Sequence, residues 1–247
     1  MALTIGTKQN FDLSKPSPQM NVMGHKEVLV PISFDSSYPS GGESLAASDV
    51  GLKEIYDVVI QPTAGFNFLW DSANSKIMAY RGTPGPAVLL QDDDSAATTG
   101  KALHCVTTLD VDLVTAVLTS ITDGNADTYF RIGALGPIVG VLDDNSAATN
   151  GTDLYFDEDL KKFLTVQGAN RDIKINLSDG RVIPVYDDDS AASNGILVYC
   201  DDNAASDHLK LFIVATANAD ITYNVGEVEG GTSLAALTSL KAHIRGA

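Results

Sequence analysis

The chain has 247 residues, with 16 Lys and Arg against 32 Asp and Glu, for a formal charge of −16. Such a surface repels phosphate, which excludes nucleic acid as a natural partner, and it favours solubility or a basic protein surface. At this length roughly 70–75% of the extended-chain surface can be buried, so a core requires neither a disulfide nor a metal.

Residues 1–26 show no sustained period and contain Lys15-Pro16-Ser17-Pro18. They are expected to form an extended N-terminal arm, with Phe11, Leu13, Met20 and Met23 as its anchors on a partner. No signal-like apolar segment stands in the first 25 residues, and no run of 18 apolar residues occurs anywhere. The expectation is therefore a chain made in a cytoplasm, without a membrane helix.

Glu27–Phe34 is the first convincing strand. A turn-rich loop, 35–43, follows, then a short helical turn within Ser44–Leu52 and a strand at Glu54–Gln61. Phe66–Trp70 and Lys76–Tyr80 flank Asp71-Ser72-Ala73-Asn74-Ser75, which marks a hairpin.

From Ala87 a repeat takes over. Residues 92–100 read DDDSAATTG, 143–151 read DDNSAATNG and 187–195 read DDDSAASNG. Their flanks align without a gap. Val88, Val139 and Ile183 precede the first Asp by four residues, and Leu90, Val141 and Val185 precede it by two. Leu103, Leu154 and Val198 follow by eleven, and Cys105, Phe156 and Cys200 by thirteen. Apolar alternation, a polar centre ending in Gly, then alternation again predicts a β-hairpin with an acidic tip. A degenerate fourth copy begins at Asp201.

Val111–Leu118 is read as a strand. Arg171–Leu177 and Arg181–Tyr186 flank Asp179-Gly180, a hairpin signal. Leu209–Ala215 and Ile221–Val228 are further strands. In Ser233–Arg245 the spacing of Leu234, Leu237 and Leu240 suits a short helix, with strand addition as the alternative. Copies starting at 92, 143, 187 and 201 are unevenly spaced, which argues against a propeller or solenoid. The expected fold is all-β: an antiparallel β-sandwich of jelly-roll type built from repeated hairpins, with residues 27–247 as one domain after the arm.

The chemistry is sparse. Cys105 and Cys200 fall at one register of two copies and read as small apolar core residues; a disulfide or a shared metal is the alternative. His104 and His208 would complete a zinc site, but no CxxC or HxxxH spacing accompanies them. The Asp triplets lack the DxDxDG pattern of a calcium loop and read as solvated tips, with calcium bridging between tips as the alternative. No GxSxG or phosphate-loop pattern is present, and a single Trp, Trp70, makes a meagre sugar platform. The chain is read as a non-enzyme without a cofactor.

Residues 30–45, VPISFDSSYPSGGESL, resemble the segment F-D-S-S-Y-P-x-G-G-E-x-L of structural proteins of tailed bacteriophages, those of marine and cyanobacterial hosts above all. Residues 68–82, FLWDSANSKIMAYRG, resemble a hairpin of the same proteins, and the Asp-rich turns occur there too; the resemblance spans about residues 28–215. It implies a virion structural protein, most like a capsid decoration (cement) protein. Such a protein is β-rich, commonly a homotrimer, and sits on the outer capsid surface over junctions of the major capsid protein lattice. The alternative it leaves open is a tail, fibre or receptor-binding component. A carbohydrate-binding module is a third, weaker reading.

Overall fold

The computed structural model describes residues 3–5, 26–109, 114–120, 127–132, 135–146, 149, 151–166, 172–201, 209–238 and 240–247. The chain is all-β, with short helical turns between strands. It forms two compact units: Met1–Pro84 with Gly226–Ala247, and Gly85–Val225. Residues 27–247, taken above as one domain, are thus divided, because each unit has an apolar core of its own.

Unit 1 holds β1 (Thr4–Ile5), β2 (Lys26–Ser33), β3 (Glu43–Ser44), β4 (Ile55–Ile60), β5 (Phe66–Asp71), β6 (Lys76–Arg81) and the last strand, β22 (Leu240–Gly246). One antiparallel sheet runs β1-β2-β22-β4 and a second runs β3-β6-β5. Alternation explains β2: Val30 and Ile32 are fully buried while their neighbours are not. The β5–β6 hairpin forms as its sequence predicts, and Asp71 Oδ1 accepts the turn N–H groups of Ala73 and Asn74. Ala47–Val50 is the expected short helical turn. The C-terminal segment takes the strand alternative, because β22 fills the gap between β2 and β4. Leu234 and Leu237 are buried in this core ahead of it.

Unit 2 is three modules of one topology. The first contains β9 (His104–Leu109), β10 (Val114–Ser120), β11 (Thr128–Arg131), β12 (Ile138–Asp143) and β13 (Thr152–Asp153). The second contains β14 (Tyr155–Asp157), β15 (Lys162–Thr165), β16 (Ile173–Asn176), β17 (Val182–Asp187) and β18 (Ile196–Leu197). The third joins the two ends of the unit: β19 (Tyr199–Cys200), β20 (Leu211–Ile213) and β21 (Ile221–Asn224), then β7 (Ala87–Asp92) and β8 (Lys101–Ala102). Their strand orders are β11-β12-β10-β9-β13, β16-β17-β15-β14-β18 and β21-β7-β20-β19-β8, the first two modules being joined into one ten-stranded sheet through β10 and β16. Position for position, these are the same.

Two expectations change here. The strands flanking each acidic turn do not form a hairpin: β7, β12 and β17 pair with neighbours other than β8, β13 and β18. Each turn instead links the fourth strand of a module to a short fifth strand, which returns to the module's first strand. Pairing is also not wholly antiparallel. The second and fourth strands of each module are parallel, and β10 also runs parallel to β16. A parallel pair needs a crossover rather than a tight turn, and the third strand supplies it. The sheets establish an all-β chain; they do not establish jelly-roll strand order.

The modules meet at Leu103, Leu154 and Val198. Leu103 donates its N–H to Val198 O at 3.0 Å, Val198 to Leu154 O at 2.9 Å, and Leu154 to Leu103 O at 3.0 Å, closing a ring of three hydrogen bonds. All three side chains are buried. The core repeats in threes: Val88, Val139 and Ile183 form one set, and Leu90, Val141 and Val185 another, all buried as their alternation predicts.

Candidate functional site

The three acidic turns share one set of hydrogen bonds. In each, the side chain of the second residue accepts from the serine two residues on. Asp93, Asp144 and Asp188 accept at Oδ1 the N–H of Ser95, Ser146 and Ser190, 2.8 Å away in every case. The same oxygens accept the serine hydroxyls at 2.7, 2.7 and 2.6 Å. Those hydroxyl and amide donors hold all three carboxyls below the usual range. The backbone N–H of the same residues donates to Ile213, Ser120 and Thr165 O, each at 3.0 Å. One residue earlier, the N–H of Asp92, Asp143 and Asp187 donates to the side chains of Asp220, Asp127 and Asp172. The third residue of each turn, Asp94, Asn145 or Asp189, is exposed.

Gly at the end of the turn answers to space. A Cβ on Gly100 would lie 2.8 Å from Ala96 O and 3.0 Å from Tyr199 Cβ. On Gly195 it would lie 2.9 Å from Tyr155 Cβ and 3.0 Å from Ala191 O. These two turns are therefore packed against the first strand of their own module.

Beside two of these turns stands an exposed apolar residue at one equivalent position. Val214 follows Ile213 and is 38% exposed; Val166 follows Thr165 and is 36% exposed. In the remaining module the sequence puts Ile121 after Ser120, outside the described residues. The acidic repeat drew attention to the turns; these apolar residues could be found only once the modules were aligned through their second strands.

The junctions between modules are less symmetric. Asp153 lies with Oδ1 2.9 Å from His104 Nδ1, and its Oδ2 accepts the Tyr155 hydroxyl at 3.2 Å. Cys105 and Cys200 are not joined in a disulfide and are both buried, the core position expected of them, and burial pushes the Cys105 thiol up to about 12. His208 lies outside the described residues. Among the described residues no group of three or more His, Cys, Asp or Glu side chains is placed to hold a metal.

In unit 1 the 30–45 segment is structural. Phe34, Tyr38 and Leu45 are buried. Tyr38 donates its hydroxyl to Glu227 Oε1 at 3.1 Å and accepts the Ala79 N–H at 2.9 Å, while Gly41 N–H donates to the same Glu227 oxygen at 2.7 Å. Glu43 is 1% exposed, and its Oε1 has no hydrogen-bond partner. Burial first, then the charge of Asp35, raises its carboxyl above the ordinary value. Phe11, Leu13, Met20 and Met23, the expected capsid contacts, lie outside the described residues; of the arm, Thr4–Ile5 pairs with the end of β2.

No protein-family model matches this chain, and neither a curated protein nor a solved structure matches it.

Proposed function

We propose that the chain is a non-enzymatic virion structural protein of a tailed phage, a decoration protein that binds the major capsid protein on the outer face of the shell. The observation that carries this reading is the 30–45 segment, whose resemblance is to virion proteins. Its residues are the framework of unit 1: Phe34 and Tyr38 are buried, and Tyr38 ties the segment to Glu227 and Ala79. A segment of that kind marks lineage through the fold it builds.

The charge of −16 suits a basic protein partner and keeps the chain off packaged nucleic acid. A ligand that binds only the assembled shell stabilises it by mass action, by about 2.7 kcal/mol per site at a hundred times its dissociation constant. The test mixes purified protein with undecorated, expanded capsids and images them by electron cryo-microscopy. Added density on the shell, with a raised shell melting temperature, supports the reading. Bare shells, with the protein found on the tail of intact virions, overturn it in favour of a tail component.

A further inference from the structure

We propose that unit 2 works as a trimer fused into one chain: a single copy docks on three identical protein segments arranged around a threefold axis, one module meeting each. This rests on the decoration reading, which supplies the occupant: three subunits of the assembled capsid protein. In place of the homotrimer that the resemblance implies, the proposal puts one chain at each such position.

The internal symmetry carries the argument. Three five-stranded modules share one strand order, the first two joined through β10 and β16, and a closed ring of hydrogen bonds through Leu103, Leu154 and Val198 marks the axis between them. Each module presents an acidic turn with no Lys or Arg in its nine residues. Directly beside it, one hydrogen bond away, the second strand ends in the exposed Val166 or Val214. An apolar residue beside negative charge, at the same position of two modules among the described residues, fits a repeated segment that carries an apolar side chain next to Lys or Arg.

Symmetry matching explains why three copies of the device are useful. Each contact alone is weak, but a rigid body that engages all three converts the second and third into intramolecular events and raises affinity by about 10²–10⁴ without new kinds of contact. A homotrimer reaches the same end by association; this chain has its three modules covalently joined. The symmetry is approximate: β10 pairs with β16 between the first two modules, a strand pairing not repeated among the described residues, and one connection differs. Where the first module closes β11 to β12 with Ile132–Pro137 and the second closes β16 to β17 with Leu177–Arg181, the third runs from Val225 into unit 1 and returns at Pro86. One copy on a threefold axis therefore carries one unit 1 for three equivalent modules.

The test uses the full chain in two measurements. Light scattering in solution is expected to give the 26.0 kDa of one chain. Cryo-microscopy of decorated capsids, reconstructed without threefold averaging, is expected to show one copy on each occupied threefold position. A stable trimer, or three copies around each axis of a decorated shell, overturns this inference and leaves the decoration reading standing. Bare shells overturn both. The vertices are tested separately: V166D and V214D should each weaken shell binding by about 10-fold or more, and the double variant by more than either. L89D, exposed but not repeated in the other modules, should bind as the parent does, and unchanged melting temperatures confirm that all fold. Equal binding by V166D, V214D and the parent overturns docking through the vertices.

Discussion

Leu154 donates its backbone N–H to Leu103 O at 3.0 Å, at the junction where one five-stranded module hands the chain to the next. The equivalent bonds at Leu103 and Val198 close the ring, so losing any one opens it. Val198→Pro removes the donor to Leu154 O inside the core. It is expected to cost unit 2 about 1–3 kcal/mol, the range for a buried backbone group left unsatisfied. Urea unfolding followed by tyrosine fluorescence measures this, and an unchanged midpoint would show that the ring contributes nothing.

Cys105, Phe156 and Cys200 occupy one equivalent position, with a large side chain in one module and a small one in the other two. Phe156 is fully buried and meets Phe163 edge-on, ring centres 5.1 Å apart. F156A should cost about 3–5 kcal/mol through lost transfer energy and the cavity left behind. F156C should cost somewhat less, and adding C105F should recover part of the loss by returning the volume to the core one module away. A double variant no more stable than F156C would show that the three positions do not share one packing space.

At Gly100 and Gly195 a side chain would collide with the preceding turn and with Tyr199 or Tyr155 in the first strand of the same module. G100A and G195A are each expected to destabilise by about 1–3 kcal/mol, as overpacking does. Gly140 has open space at its Cβ and is not among the positive-φ glycines. G140A should therefore stabilise by about 0.4–1 kcal/mol, through the entropy of the unfolded chain. Thermal melts of the three variants decide, and the prediction is the difference in sign.

The carboxyls respond to pH in opposite directions. Asp93, Asp144 and Asp188 are lowered in the fold. Their contribution is present above the unfolded value and is lost as pH falls through the folded one. Replacing Ser95, Ser146 and Ser190 by Ala should return these carboxyls toward their ordinary range, seen as an upward shift in a carboxyl NMR titration. Glu43 is raised in the fold. Its contribution is greatest below its unfolded value and declines as pH rises through the folded one. E43Q should therefore stabilise unit 1 at pH 7 relative to the parent, an advantage that disappears in acid. An advantage independent of pH would contradict the assignment to charge burial.

Much of this was visible in the residues. Alternation located the strands and their buried faces, so Val88, Leu90, Val139, Val141, Ile183 and Val185 could be assigned to the core before any coordinates. Asp71-Ser72-Ala73-Asn74-Ser75 and Asp179-Gly180 marked true hairpins because their turn chemistry is local. The acidic repeat was equally plain, and its reading as a hairpin tip failed for a physical reason. Alternation says which face of a strand is buried, and nothing about which strand lies beside it. The candidate contact residues Val166 and Val214 were hidden for the same cause, since their equivalence follows from parallel pairing to β17 and β7.

The sequence by itself determined an acidic, all-β chain with a thrice-repeated turn, because composition, period and turn chemistry are properties of short segments. Only the tertiary structure decided that the turns join the fourth and fifth strands of three modules of one strand order, and that the third module is completed by β7 and β8 from the far end of its unit. Strand partnership is a contest among all apolar faces in the chain at once. The arrangement that prevails buries the equivalent sets Val88, Val139 and Ile183, Leu90, Val141 and Val185, and Leu103, Leu154 and Val198 together, and leaves the ring of backbone groups among the last three bonded.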